Sequence, residues 1–213
     1  MTASTAPKRA LIVIDVQNEY FTGGLPIEYP DPRDSIVNIA AAMDAAHAAG
    51  IPVIVVQQTA PAGSPLFAQD SETWQLHPAV ASRPHDLALR KTLPSAYPET
   101  GLADWLRTRG IDTLTVVGYM THNCDASTII DALHQGLAVE FLHDASGSLP
   151  YRNQAGAASA EEIHRVFSVV LQSRFAAVMS TRDWMDCVAT GAIPVRDNIY
   201  KSNQRGRGLD IDQ

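Results

Sequence analysis

Short apolar runs alternate along this chain with stretches in which apolar residues recur at helical spacing. Ala10-Leu-Ile-Val-Ile14 and Ile51-Pro-Val-Ile-Val-Val56 are continuous and β-branched, the pattern of strands buried on both faces. Thr113-Leu-Thr-Val-Val117, Leu137-Ala-Val-Glu-Phe-Leu142 and Phe175-Ala-Ala-Val-Met179 read as further strands, and Asp86-Leu-Ala-Leu-Arg90 as a short one. Between them the period becomes helical. A helix over 31–50 places Ile36, Ile39, Ala40, Met43 and Ala46 on one stripe and closes at Gly50. A second, over 99–109, turns Leu102, Trp105 and Leu106 inward and stops at Gly110. A third runs from about Cys124 to Gly136 through Ala126, Ile129, Ile130 and Leu133. A fourth, over 159–173, should face inward with Ile163, Val166, Phe167 and Val170. Ser180 is a good N-cap for a last helix through Ala189, ended by Gly191.

Strands alternating with helices predict an α/β fold, with a six-stranded, largely parallel sheet covered by helices on both faces. No internal repeat or interdomain linker interrupts the pattern, so residues 1–213 are expected to form one domain. Two stretches escape periodicity. From Gln57 to about Pro84, prolines and glycines punctuate a polar segment that holds Phe67, Trp74 and His77. It reads either as an active-site cover packed by its own aromatics or as a surface loop. The polar tail over 194–213 reads as a frayed end or as an arm on a neighbouring subunit.

Composition narrows the partners. The chain has 213 residues, 46% hydrophobic and 18% charged, enough to bury a core without covalent staples. Sixteen Lys and Arg against 23 Asp and Glu give a net charge of −7, which argues against a nucleic-acid partner. Two cysteines, Cys124 and Cys187, make no disulfide framework and suit a reducing compartment. The polar start, Met1 to Arg9, lacks the apolar core of a secretory signal, and no apolar run reaches membrane-spanning length. A cytoplasmic protein with no membrane partner is expected.

Gly118-Tyr-Met-Thr-His-Asn-Cys124 joins a predicted strand to a predicted helix. Cys124 at such a turn meets exposed backbone N–H groups and the positive end of a helix dipole. Both favour a thiolate and offer donors to an oxyanion. Position alone leaves open whether Cys124 is a nucleophile or a small core residue. Ligands in parallel sheets bind outside the carboxyl ends of the strands, and Asp15, Lys91 and Cys124 all fall at such ends. Together they make coherent chemistry. Cys124 would attack a carbonyl or nitrile carbon, Asp15 would take the thiol proton and return it to a leaving amine, and Lys91 would hold Asp15 and lower the thiol pKa. His122, two residues before the cysteine, either lines the pocket or is solvated. An aspartyl phosphatase built on Asp15 is excluded, because its second Asp, two residues on, is replaced by Gln17.

Three stretches, Leu11-Ile-Val-Ile-Asp-Val-Gln-Asn-Glu-Tyr-Phe21, Arg90-Lys-Thr-Leu-Pro-Ser-Ala-Tyr97 and Gly118 to Cys124, resemble the isochorismatase-like cysteine hydrolases in motif and order. The resemblance spans about residue 9 to Ala189. It implies a three-layer α/β/α fold and an Asp–Lys–Cys triad of Asp15, Lys91 and Cys124. It also implies a cis peptide bond between Tyr119 and Met120, with the backbone N–H groups of Met120 and Cys124 as an oxyanion hole. Homo-oligomers, dimers or tetramers, are common in that family. Its nicotinamidase branch carries an Asp-x-His metal motif after the second strand. Here that place reads Gln57-Gln-Thr-Ala-Pro-Ala-Gly63, so no metal and no cofactor are expected.

The expected reaction is cleavage of a C–N bond in a small amide, ureido or imide-like substrate through a thioester. Two alternatives remain. One is isochorismatase-type cleavage of a vinyl ether, which does not need the cysteine. The other is a non-catalytic small-molecule-binding or assembly subunit. Gln17 either binds substrate or caps the loop. Phe21, Phe67, Trp74, Leu76, His122 and Tyr151 either wall an apolar pocket or pack as ordinary core. Asp125, where relatives usually carry an apolar residue, is expected to face away from the pocket.

Overall fold

The most apolar runs of the sequence lie side by side in the middle of the sheet. In a computed structural model, which describes residues 6–209, the strands are β1 (Arg9–Ile14), β2 (Val53–Gln58), β3 (Leu87–Lys91), β4 (Thr113–Tyr119) and β5 (Ala138–Gly147). A small antiparallel hairpin of β6 (Tyr151–Asn153) and β7 (Gly156–Ala158) precedes the last strand, β8 (Ala177–Met179). The six-stranded sheet has the order β3-β2-β1-β4-β5-β8 with every neighbour parallel. The helices are α1 (Pro32–Ala48), α2 (Pro78–Ala81), α3 (Leu102–Thr108), α4 (Ala126–His134), α5 (Ala160–Arg174), α6 (Thr181–Thr190) and α7 (Ile199–Gly206).

Alternate residues of β1 feed two cores. Leu11 and Val13 pack with Ile39, Met43 and Ala46 of α1 and Trp184 of α6. Ala10, Ile12 and Ile14 pack on the other face with Leu106 of α3, Ile129 of α4 and Leu171 of α5. This is the three-layer α/β/α arrangement that the alternation of elements predicts. The caps also act as expected. Asp31 accepts from Arg33 N, Ser180 accepts from Asp183 N, and Ser159 forms a reciprocal capping box with Glu162. Among the described residues no helix is long and apolar enough to cross a membrane.

The start of β1 is fixed by a buried charge cluster. Arg9 Nε donates to Glu140 Oε1 at 3.0 Å, while Thr115 Oγ1 and Trp184 Nε1 donate to Glu140 Oε2 at 2.7 and 2.9 Å. Both charged side chains are almost wholly enclosed. Glu140→Ala would strand the Arg9 guanidinium, so a loss of about 3–5 kcal/mol in chemical denaturation is expected. Glu140→Gln should cost less, since it keeps an acceptor for Trp184.

Four features differ from the sequence reading. Helix α5 buries Ala160, Ile163, His164 and Leu171, whereas Val166 and Val170 are 47% and 46% exposed and Phe167 is half-buried. Apolar residues occur all round this helix, so their spacing did not select one face. Strand β5 continues past Leu142 to Gly147 on small and polar residues, and its register against β4 shifts between Val116 and Gly118. The β6–β7 hairpin has too little alternation to be seen in advance. The tail contains α7 and lies on its own chain, where Asp197 N donates to Gln172 O of α5 at 3.0 Å. Its last residues, 210–213, fall outside the described range.

Candidate active site

Residues from three strand ends meet at one edge of the sheet, beside the point where the chain order reverses between β1 and β4. Asp15 follows β1 in a left-handed conformation (φ 50°), and its N–H donates to Val56 O at 2.9 Å. Cys124 lies in a five-residue π-helical turn, Thr121–Asp125, between β4 and α4. Such turns recur at functional sites. Gly118 has φ +122°, and a Cβ there would sit 2.1 Å from Ile14 O. Only glycine lets the end of β4 approach β1 this closely, and this approach brings the cysteine turn to Asp15. The Tyr119–Met120 peptide bond is cis.

Lys91 ties the group together. Its Nζ lies 2.7 Å from Asp15 Oδ2 and 3.3 Å from Cys124 Sγ, and it donates to Gln58 Oε1 at 2.7 Å and Leu93 O at 3.1 Å. Neither Asp15 oxygen has a well-aligned hydrogen bond among the described residues, so the ammonium charge is its main compensation. Burial raises the Asp15 pKa, and Lys91 offsets part of that rise. Burial alone would lower the Lys91 pKa, but the charges of Asp15 and Cys124 outweigh it and hold the ammonium above its ordinary range. Burial and then the Asp15 charge push the Cys124 thiol up, against the pull of Lys91. Burial thus favours the neutral thiol over the thiolate. The thiolate expected from a helix N-terminus loses to desolvation, because Cys124 is only 5% exposed.

A family model described as the isochorismatase domain matches residues 9–183, most of the chain. The chain belongs to the isochorismatase family. The crystal structure of a "putative isochorismatase" from Burkholderia xenovorans LB400 is 67% identical with a TM-score of 0.95, covering 96% of this chain and 98% of that one. The ureidoacrylate amidohydrolase of Methylobacterium radiotolerans is 30% identical over 78% of this chain and 73% of its own length. A streptothricin hydrolase of Streptomyces noursei is 33% identical over 68% of this chain, which spans 58% of that protein.

Around the trio, this isochorismatase-family hydrolase sorts the remaining predicted residues into two groups. Gln17 acts as a brace. It is fully buried, its Nε2 donates to Gln58 O and Trp74 O at 3.0 and 2.8 Å, and its Oε1 accepts from Gln58 N at 2.9 Å. Its amide thus caps the backbone of Gln58 and Trp74. Phe67 and Trp74 are buried with Tyr20 and Tyr119 in one core cluster, with Leu76 packed against it, so the 57–84 segment is held by its own aromatics. Trp74 Nε1 donates to Thr59 Oγ1 at 3.1 Å, and Arg90 stacks 4.9 Å from its ring centre. Phe21, half-buried, packs against His77 and Tyr119.

His122 and Tyr151 form the second group. His122 Nδ1 contacts Ser148 Oγ at 3.1 Å, and its Nε2 contacts the hydroxyl of Tyr151, on the β6–β7 hairpin, at 3.0 Å. Burial lowers the His122 pKa to about 4, so it is neutral at physiological pH. Tyr151 is 42% exposed, and Cys124 is near enough to influence its ionisation.

Three further residues join the site. Gln58, at the end of β2, orients Lys91, and Tyr20 sits close enough to feel Cys124, Asp15 and Asp125. Both stood in quoted stretches, but nothing in their residue type marked them. Asp125, expected to face away, is instead fully buried. Ser146 Oγ donates to its Oδ2 at 2.6 Å, and it interacts electrostatically with both Asp15 and Lys91. Among the described residues no group of three or more His, Cys, Asp or Glu could hold a metal ion.

Proposed function

We propose that this hydrolase cleaves a C–N bond in a small amide, ureido or imide-like substrate through a thioester on Cys124. The observation that carries the reading is the Lys91 ammonium lying 2.7 Å from Asp15 and 3.3 Å from Cys124, with the Asp15 and Lys91 side chains fully enclosed. Asp15 takes the Cys124 proton as Sγ attacks the carbonyl carbon. The oxyanion is held by the backbone N–H groups of Met120 and Cys124. Collapse breaks the C–N bond, and Asp15 delivers its proton to the departing nitrogen. Water then gives a proton to Asp15 and attacks the thioester, and Cys124 leaves as the thiol after recovering that proton. Lys91 keeps Asp15 ionised between these transfers. Neutral His122 and Tyr151 border the substrate.

The ureidoacrylate amidohydrolase among the relatives supports the C–N class. The test is a panel of small amides, ureido acids and nicotinamide assayed for ammonia release, with and without chelator. A reactive substrate quenched in acid should leave an acyl adduct on the Cys124 peptide in mass spectra. Turnover with no adduct there under any quench would overturn the thioester.

A further inference from the structure

Asp125 is a fully buried carboxyl beside the nucleophile to which the reaction above gives no role. It begins a chain of short contacts that leaves the site on its far side. Ser146 Oγ lies 2.6 Å from Asp125 Oδ2, Thr121 Oγ1 lies 2.6 Å from Ser146 Oγ, and His164 Nδ1 lies 2.8 Å from Thr121 Oγ1. A 3.2 Å contact from Thr121 Oγ1 to Gly147 O is longer than either of its two chain contacts. Asp125 Oδ1 and His164 Nε2, at the two ends, have no well-aligned hydrogen-bond partner among the described residues. An unpartnered oxygen penalises a buried carboxylate more than a buried acid. His164 and His143 border a cavity of about 580 Å³ between α5 and the C-terminal segment.

We infer that Asp125 is a positioning residue whose protonation sets the reactivity of Cys124, and that Ser146 and Thr121 relay its proton to His164. Both orientations of the chain satisfy every interior atom. With Asp125 neutral, its O–H donates to Ser146, Ser146 to Thr121, and Thr121 to His164 Nδ1, leaving the imidazole proton on Nε2. With Asp125 ionised, His164 Nδ1–H donates to Thr121, Thr121 to Ser146, and Ser146 to the carboxylate. Passing from the first state to the second moves one proton along each link and gives up one from His164 Nε2 to solvent, past the His143 backbone that lies against this imidazole. No other proton changes place.

The surroundings fit a group poised between these states. Asp15 and Lys91 face Asp125 on the catalytic side, with Tyr20 and Tyr119 near it. His143, His122 and Tyr29 face His164, with Glu161 and Arg165 at the cavity. Burial first, and then the Asp15 charge, raise the Asp125 pKa to about 7, while Ser146 and Lys91 oppose the rise. Burial keeps His164 neutral, with a pKa lowered to about 4. An ionised Asp125 adds a second negative charge beside the Asp15–Lys91 pair and draws on the Lys91 charge that favours the thiolate, so deprotonating Cys124 becomes harder above that pH.

The inference rests on Cys124 being the nucleophile, and the test separates the two. Iodoacetamide labelling of the Cys124 peptide is followed against pH, with the Cys187 peptide as internal reference. Asp125→Asn should match the wild type below pH 7 and react about tenfold faster above it. Nitrogen NMR of labelled histidine should show His164 passing from the Nε2–H to the Nδ1–H tautomer with the midpoint of Asp125, and Thr121→Val should abolish that passage. Infrared difference spectra should contain a protonated-acid carbonyl band absent from Asp125→Asn. If Asp125→Asn does not fold, the NMR and infrared signals of the wild type decide alone. Identical labelling profiles, or a His164 tautomer that ignores pH, would overturn the relay. Cys124 adducts absent from turnover, with the His164 switch intact, would overturn the thioester only.

Discussion

Cys124→Ala is expected to abolish hydrolysis, with kcat/KM falling by about 10⁴-fold or more while the fold is kept. The side chain is small and sits at a turn whose course is set by Gly118 and α4, so its loss leaves a modest cavity. Asp15→Asn should lose about 10²–10⁴-fold, the usual worth of a general base. The ordering discriminates between mechanisms. A vinyl-ether reaction driven by acid catalysis at Asp15 would survive Cys124→Ala and fail with Asp15→Asn. Ammonia release and circular dichroism on both variants check the result.

Lys91→Met is the second large effect, and its sign follows from burial. Removing the ammonium leaves Asp15 enclosed with no charge partner, so its carboxyl takes up a proton and cannot accept one from the thiol. Activity at neutral pH should fall by about 10²–10⁴-fold and partly return at higher pH as Asp15 ionises. The stability shift has the matching direction. An acid whose folded pKa is raised contributes stability at pH below its unfolded value, and that contribution is lost as pH rises through the folded value. Lys91→Met should therefore unfold more easily with each step up in pH. The double variant Lys91→Met/Asp15→Asn should be no less active than the worse single one, because the two residues act as a unit. It should recover stability, since it buries no charge. Full additivity of the rate losses would contradict the coupling.

Much of this was legible in the sequence because burial on two faces leaves an unmistakable composition. Ala10 to Ile14 and Ile51 to Val56 could hardly be anything but central strands, and the residues ending such strands are few enough to list. Asp15, Lys91 and Cys124 all stand just past predicted strands, and the fold brings them together. Partners recruited by hydrogen bonding were not legible in the same way. Gln58, Ser146 and Thr121 are common polar residues whose roles depend on which backbone they meet. A regular helical position would turn Asp125 away from the site, whereas the π-helical turn directs it toward Ser146 of β5. His164 occupies a core position on α5, while hydrophobic spacing turns Val166 and Val170 inward in its place, since a periodicity argument cannot foresee a buried histidine.

The brace formed by Gln17 has a mechanical consequence. Asn18 N and Glu19 N donate to Gln75 O and Thr73 O at 2.9 and 2.7 Å, and His77 N donates to Val16 O at 2.8 Å. The wall that carries Trp74 is therefore stitched to the residues that immediately follow Asp15. Under the proposed mechanism, a substrate that pushes this segment outward should pull on Asp15 as well. On that mechanism an ill-fitting substrate is expected to lose turnover as well as binding, and a grafted loop to work only if Gln17 and its partners travel with it.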